Sequence, residues 1–171
     1  IDIPIIKVNS IRKTLSQVSS KYYPKQPKNI LAITGTNGKT SVTKLTEEIW
    51  QLMGIKSSSI GTLGNSASKA SSILTTPDPI SLHKQVNALA SEGFQHLVIE
   101  ASSHGLSQLR MDSLKIAGAA FTSFSRDHLD YHSSMDSYFN AKKRLFTHLL
   151  GPKGTAVVNL IDLPLRYHNF I

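Results

Sequence analysis

Cysteine is absent from the chain, which excludes a disulfide framework and any thiolate nucleophile or metal ligand. Acid is scarce: 11 Asp and Glu stand against 19 Lys and Arg, a net charge of +8. Aromatic residues make up only 7% and do not interleave with the basic ones, so a base-stacking platform for nucleic acid is not expected. The basic balance then favours smaller phosphate-bearing partners, nucleotides included. No apolar run approaches the roughly 20 residues that cross a bilayer, so no membrane partner is expected. The opening Ile1-Asp2-Ile3-Pro4 has neither an initiator Met nor the charged-then-apolar order of a signal peptide. The expectation is a cytoplasmic protein, and the missing Met fits a piece of something longer. What is present, 171 residues at 40% hydrophobic, suffices for one domain with a real core.

Residues 1–28 read as an entry segment, with a short helical pattern (Ile11, Leu15, Val18) ended by Pro24 and Pro27. From Asn29 strands and helices alternate. Ile30 to Ile33 is a strand of buried type. Thr40 to Met53 carries Val42, Leu45, Ile49, Leu52 and Met53 at helical spacing, with Gly54 where a cap belongs. A weak strand near 58–61, a polar loop and a helix over 80–91 closed by Gly93 follow. Strands over 96–99 and 116–122, a long amphipathic helix over 134–150 and a strand over 155–159 complete the series. This order predicts an α/β fold, a parallel sheet flanked by helices, with ligands at the carboxyl ends of the strands.

Between the first strand and its helix lies Thr34-Gly35-Thr36-Asn37-Gly38-Lys39-Thr40-Ser41. Glycines let backbone N–H groups turn toward an anion, and the helix N-terminus adds partial positive charge. In such a loop Lys39 reaches the terminal phosphates and the Thr40 hydroxyl holds Mg²⁺. The usual early glycine is replaced by Ile33. Glu100 ends a second strand, the place for a metal-binding carboxylate in nucleotide enzymes.

In the helix over 134–150, Met135, Tyr138, Phe139, Leu145, Phe146 and Leu149 form an apolar stripe, and Lys142 falls in its middle. Lys143 and Arg144 point elsewhere, as solvated charges should. Lys142 is either a snorkelling stem or an amine aimed into a site, its pKa lowered by burial. His128 and His132 lie in a polar Asp- and His-rich loop; their spacing is zinc-like, but no third ligand follows. Thr75-Thr76-Pro77-Asp78 opens a helix, where hydroxyls often serve as caps. Ser102-Ser103-His104 lacks the nucleophile elbow of a hydrolase.

Together, Thr34 to Thr40, Thr75-Thr76-Pro77, Glu100 to His104, Ser125 to His132 and Ala141-Lys142 closely resemble the Mur ligases, most of all the UDP-N-acetylmuramoyl-tripeptide synthetase type. The family's phosphate loop also lacks the early glycine. The resemblance implies an ATP-dependent ligase of cytoplasmic peptidoglycan synthesis. It phosphorylates a carboxylate of UDP-MurNAc-L-Ala-D-Glu to an acyl phosphate, which the amine of meso-diaminopimelate or L-lysine attacks. It implies Gly35, Thr36, Asn37, Gly38, Lys39, Thr40 and Ser41 on ATP, and Thr40, Glu100, His128 and Lys142 at Mg²⁺ sites. Lys39, His128 and Lys142 are the implied catalytic residues, with Lys142 carried as a carbamate. Thr75, Thr76, Ser102, Gln108 and Arg110 match contacts to the UDP-muramyl-dipeptide. A monomer is expected. Residues 29–171 would be the central ATP-binding domain of such a ligase, incomplete at its C-terminus, and residues 1–28 the exit from an N-terminal uridine-binding domain. After Asn159 the sequence Leu160 to Pro164 drifts from the family's acidic pattern. The chain alone is expected to bind nucleotide weakly and not turn over. Folylpolyglutamate synthase, which shares the loop and the lysine, and an inert nucleotide-binding remnant are the alternative readings.

Overall fold

The computed structural model describes residues 3–67 and 74–170. Part of the polar loop expected before the second helix, residues 68–73, lies outside the described residues. The strands are β1 (Asn29–Thr34), β2 (Ser57–Gly61), β3 (Gly64–Asn65), β4 (His96–Glu100), β5 (Ile116–Phe121) and β6 (Leu150–Val158). The helices are α1 (Ile11–Tyr22), α2 (Lys39–Leu52), α3 (Pro79–Ser91), α4 (Ser103–Ser107) and α5 (Met135–Arg144). They build one sheet ordered β3-β2-β4-β1-β5-β6, parallel except for the β2–β3 hairpin. The expected α/β class is therefore observed.

Side chains alternate across a strand, so the register sorts them by face. Ile30, Ala32, Leu97, Ile99 and Ile60 share one face and pack with Leu82, Val86 and Leu89 of α3 in the main core. Helix α2 covers the opposite face, and does so with polar residues. Leu45, Ile49, Leu52 and Met53 of the expected stripe lie exposed, while Thr43 and Glu47 are buried. The cause is the β2–β3 hairpin and the residue after it: Ser59 Oγ donates to Glu47 Oε2 at 2.7 Å, Ser57 Oγ to the Glu47 carbonyl at 3.3 Å, and Ser66 Oγ to Glu47 Oε1. Lys44 adds an ammonium at 3.0 Å. A carboxylate with that many donors can be buried without an apolar surround, and its pKa falls because these donors and Lys44 outweigh its desolvation.

Three more features differ from the sequence reading. The helix over 134–150 is α5 followed by a π-helical turn, Leu145–Leu149, closed by the Leu150 N–H on the Leu145 carbonyl. The wider turn keeps Leu145 in the main core, and β6 starts at Leu150, five residues before the expected Thr155. Arg144 is not a free charge: its guanidinium forms two 2.7 Å hydrogen bonds to the Asp112 carboxylate. The divergent tail packs, with Leu163 and Tyr167 joining Phe121, Phe124, Tyr138 and Phe139 in a second core.

Helix α1 turns Ser16 and Ser19 inward and leaves Ile11 and Val18 exposed. Ser16 Oγ donates to the Asp112 carbonyl and lies 3.4 Å from Nε2 of His83 on α3, which is itself 3.3 Å from the same carbonyl. His83 is fully buried, and desolvation lowers its pKa from its ordinary 6.5 although the Asp112 carbonyl opposes the shift. The unfolded chain thus binds the His83 proton more readily than the fold does, so stability rises with pH and is lost on acidification through the unfolded value. His83→Gln is expected to make the fall in thermal midpoint between about pH 7 and about pH 5 shallower. Identical pH profiles for the two proteins would contradict this burial-driven shift.

Candidate active site

The strand order brings the carboxyl ends of β4, β1 and β5 together, with Glu100 beside Ile33 and Phe121 beside Thr34. Helix α2 leaves β1 over one face while α3 returns to β4 over the other, and such a switch point opens a crevice at the carboxyl ends. The phosphate-type loop lies in it. Gly38, at φ +82°, caps α2 in a left-handed conformation.

The loop is braced from β5 by residues the sequence reading did not single out. Thr36 N–H donates to the Ser123 carbonyl at 2.8 Å, Asn37 N–H to Ser123 Oγ at 2.9 Å, and Thr122 Oγ1 to the Asn37 carbonyl at 2.6 Å. Thr36 Oγ1 also meets the Tyr138 hydroxyl at 3.1 Å. The available signal was the hydroxyl-rich run Thr122-Ser123-Phe124-Ser125 straight after a strand. Gly35, at φ +146°, has no room for a side chain: a Cβ there would stand 2.0 Å from Thr122 Oγ1.

Two lysines converge on one oxygen. Lys39 Nζ donates to the Gly35 carbonyl at 3.0 Å and to the Thr36 carbonyl at 2.8 Å. Lys142 Nζ donates to the same Gly35 carbonyl at 2.7 Å and sits 4.3 Å above the Tyr138 ring. Lys142 is 1% exposed, so the snorkelling alternative is excluded. Burial first, then repulsion from Lys39, lowers its pKa to about 7, although Asp127 opposes the shift. Desolvation also lowers the Lys39 pKa, against Glu100 and Asp127.

Thr40 Oγ1 donates to Glu100 Oε2 at 3.0 Å, so the loop hydroxyl and the buried carboxylate form one unit. Among the described residues no cluster of three or more His, Cys, Asp or Glu could hold a metal. One hydroxyl with one carboxylate is nonetheless a hard-oxygen donor set that fits Mg²⁺, which completes its shell with water and substrate phosphates. Ser41 lies in the first turn of α2 and is exposed.

The expected substrate contacts gather in a neighbouring recess. Thr75, Ser102, His104, Arg110 and His128 line a cavity of about 280 Å³. Thr76 Oγ1 donates to the Glu100 carbonyl at 2.7 Å and accepts from Ser102 N–H at 2.9 Å, tying this recess to the carboxylate's own backbone. Arg110 is held by the Thr76 carbonyl at 2.7 Å and by Gln108 Oε1 at 2.6 Å. Arg12, another residue the sequence reading passed over, joins Gln108 and Arg110 in an adjoining recess of about 220 Å³. His128, at φ +52°, packs its ring edge-on to His104, 4.9 Å between centroids, and so stands with the substrate group.

A family model for the Mur ligase middle domain matches residues 33–168. A UDP-N-acetylmuramoyl-L-alanyl-D-glutamate–2,6-diaminopimelate ligase of Bradyrhizobium diazoefficiens is 46% identical over 159 residues, 92% of this chain and 33% of that protein. The Rickettsia bellii protein of the same name is 44% identical over 161 residues, 91% of this chain and 34% of its own. The chain thus spans about a third of the length of the curated relatives it matches. A solved 2,6-diaminopimelate ligase of that name superposes with TM-score 0.73 at 34% identity, over 88% of this chain and 30% of its own. An E. coli FolC structure in complex with ADP superposes with TM-score 0.63 at 14% identity, over 90% of this chain and 42% of its own, a likeness of fold alone.

Gly35→Ala is expected to push the loop off Thr122 and abolish nucleotide binding in a calorimetric titration. Gly54→Ala is the control: Gly54 also has positive φ, but a Cβ there meets nothing within 4 Å. Nucleotide bound equally well by both variants would contradict the crowding at Gly35.

Proposed function

The chain belongs to the Mur ligase family, and from that premise we propose that it forms the phosphate-handling centre of a ligase joining 2,6-diaminopimelate to UDP-MurNAc-L-Ala-D-Glu at the expense of ATP. The observation that carries the reading is the pairing of Thr40 and Glu100 beside two lysines on one carbonyl. The named relatives support diaminopimelate over lysine as the amine donor. Residues 1–28 are taken as the lead-in to the central domain, and the chain by itself as a weak nucleotide binder without turnover.

The reaction needs two anions, a carboxylate and the γ-phosphate, brought together and aligned. The loop amides and Lys39 would receive the phosphates, Lys39 exchanging its carbonyl partners for phosphate oxygens. Mg²⁺ held by Thr40 and Glu100 would supply charge neutralisation on the transferring group. Thr75, Ser102, Gln108 and Arg110 would hold the muramyl-dipeptide so that its terminal carboxylate faces the γ-phosphate. Attack forms the acyl phosphate and releases ADP; the incoming amine then takes the acyl carbon and phosphate leaves. Lys142, depressed to about 7, offers a neutral amine near physiological pH. Its addition to CO₂, with loss of one proton, would give a carbamate anion able to join the metal site. His128 lines the neighbouring recess with Thr75 and Ser102, yet its ring is 6.2 Å from the Tyr138 ring over which Lys142 sits, and it would serve at the same centre from that side.

In the protein at its natural length, sustained ADP production over many turnovers is expected to require both UDP-MurNAc-L-Ala-D-Glu and diaminopimelate. Lys39→Ala and Glu100→Gln should each lower the rate by about a hundredfold or more. Labelled bicarbonate should yield a lysine carbamate resonance that vanishes in Lys142→Met. ATP consumption driven by a folate substrate instead, or by neither substrate, would overturn the reading.

A further inference from the structure

The tip of the β2–β3 hairpin closes over Glu100. A Cβ on Gly61 would lie 2.1 Å from Glu100 Oε1, so the carboxylate rests directly on that glycine. The next residue, Thr62, contacts both carboxylate oxygens: its N–H donates to Oε1 at 3.0 Å and its hydroxyl to Oε2 at 3.1 Å. With Thr40 on Oε2, both oxygens of a 1%-exposed carboxylate have fixed donors.

Thr62 Oγ1 lies equally close, 3.1 Å, to Thr75 Oγ1 in the substrate recess. A hydroxyl has one proton to give, and a charged acceptor makes the stronger bond. Thr62 Oγ1 is the donor toward both, so its one proton is contested between Glu100 Oε2 and Thr75 Oγ1, with the charged carboxylate the stronger acceptor. The result is a fork at Thr62, one branch reaching the loop's carboxylate and the other Thr75 in the substrate recess. A substrate group that engages Thr75 changes how strongly Thr75 competes for the Thr62 proton, and so how firmly Thr62 holds Glu100.

We propose that Thr62 is a positioning residue that sets the Glu100 carboxylate for its cation and links that carboxylate to the substrate end of the cleft through Thr75. The inference rests on the reading of Thr40 and Glu100 as cation ligands and of Thr75 as a substrate contact. Thr62 acts through Glu100, with no part in the bond changes.

The test uses Mn²⁺ as the paramagnetic probe on the protein at its natural length with ADP present, comparing wild type, Thr62→Val, Thr62→Ala and Thr62→Ser. Loss of the hydroxyl in Thr62→Val and Thr62→Ala should weaken Mn²⁺ binding about tenfold, the scale of a hydrogen bond to a charged group. It should also remove the change in Mn²⁺ affinity that UDP-MurNAc-L-Ala-D-Glu produces in wild type. Thr62→Ser should restore both to within about twofold, which a merely structural role for the methyl-bearing side chain would not allow. Thr62→Ala adds no bulk and covers the case in which Thr62→Val fails to fold. Native Mn²⁺ affinity and native substrate response in the hydroxyl-free variants would overturn the inference, as would equal damage in Thr62→Ser. Wild type whose Mn²⁺ binding is unaffected by Glu100→Gln would instead overturn the underlying ligand assignment.

Discussion

One carbonyl oxygen, that of Gly35, receives the ammonium groups of both Lys39 and Lys142, and the rest of the site is arranged around that unfavourable crowding. Two like charges sharing an acceptor in a partly desolvated loop repel strongly, because the low local dielectric that strengthens a hydrogen bond strengthens the repulsion as well. The fold accommodates the pair by lowering the proton affinity of Lys142 and by placing Glu100 and Asp127 within electrostatic reach of Lys39. On the proposed reading, an incoming polyphosphate would relieve the same crowding from outside.

That crowding is affordable only because the surrounding frame is rigid. The loop is fastened to the Thr122–Ser123 stretch beyond β5, Lys142 is carried on a helix whose Tyr138 and Phe139 are core residues, and Glu100 ends a strand hydrogen-bonded on both sides. The second recess shares this frame through Thr76, which bonds both the Glu100 carbonyl and the Ser102 amide. The loop and the recess are thus two ends of one hydrogen-bonded assembly, the arrangement that the proposed alignment of a carboxylate against a phosphate would require.

Much of this was legible from sequence because the relevant signals are local. Gly38-Lys39-Thr40 between a strand and a helix, Glu100 after three apolar residues, and Lys142 inside an apolar stripe each declare their position through spacing alone. What spacing could not show was which face a helix buries when its partner surface is polar. In α2 the hydroxyls of Ser57, Ser59 and Ser66 invert the expected pattern, so Glu47 goes in and Leu45 and Ile49 stay out. The π-helical turn after Arg144 was hidden for a related reason, since a one-residue widening leaves the apolar periodicity almost unchanged. Thr62 and Thr122 escaped notice because an isolated threonine has no pattern; only the fold reveals that each stands against a charged or closely packed loop group.

Burial, and after it the neighbouring Lys39 ammonium, disfavour the charge on Lys142 and lower its pKa to about 7. The direct measurement is the titration of lysine side-chain resonances in CO₂-free buffer, with Lys142→Met to assign the signal. One lysine is expected with a midpoint near 7, moving upward when a non-hydrolysable ATP analogue brings negative charge into the loop. Lysines that all titrate near their ordinary value of about 10.4, with no response to the analogue, would contradict it.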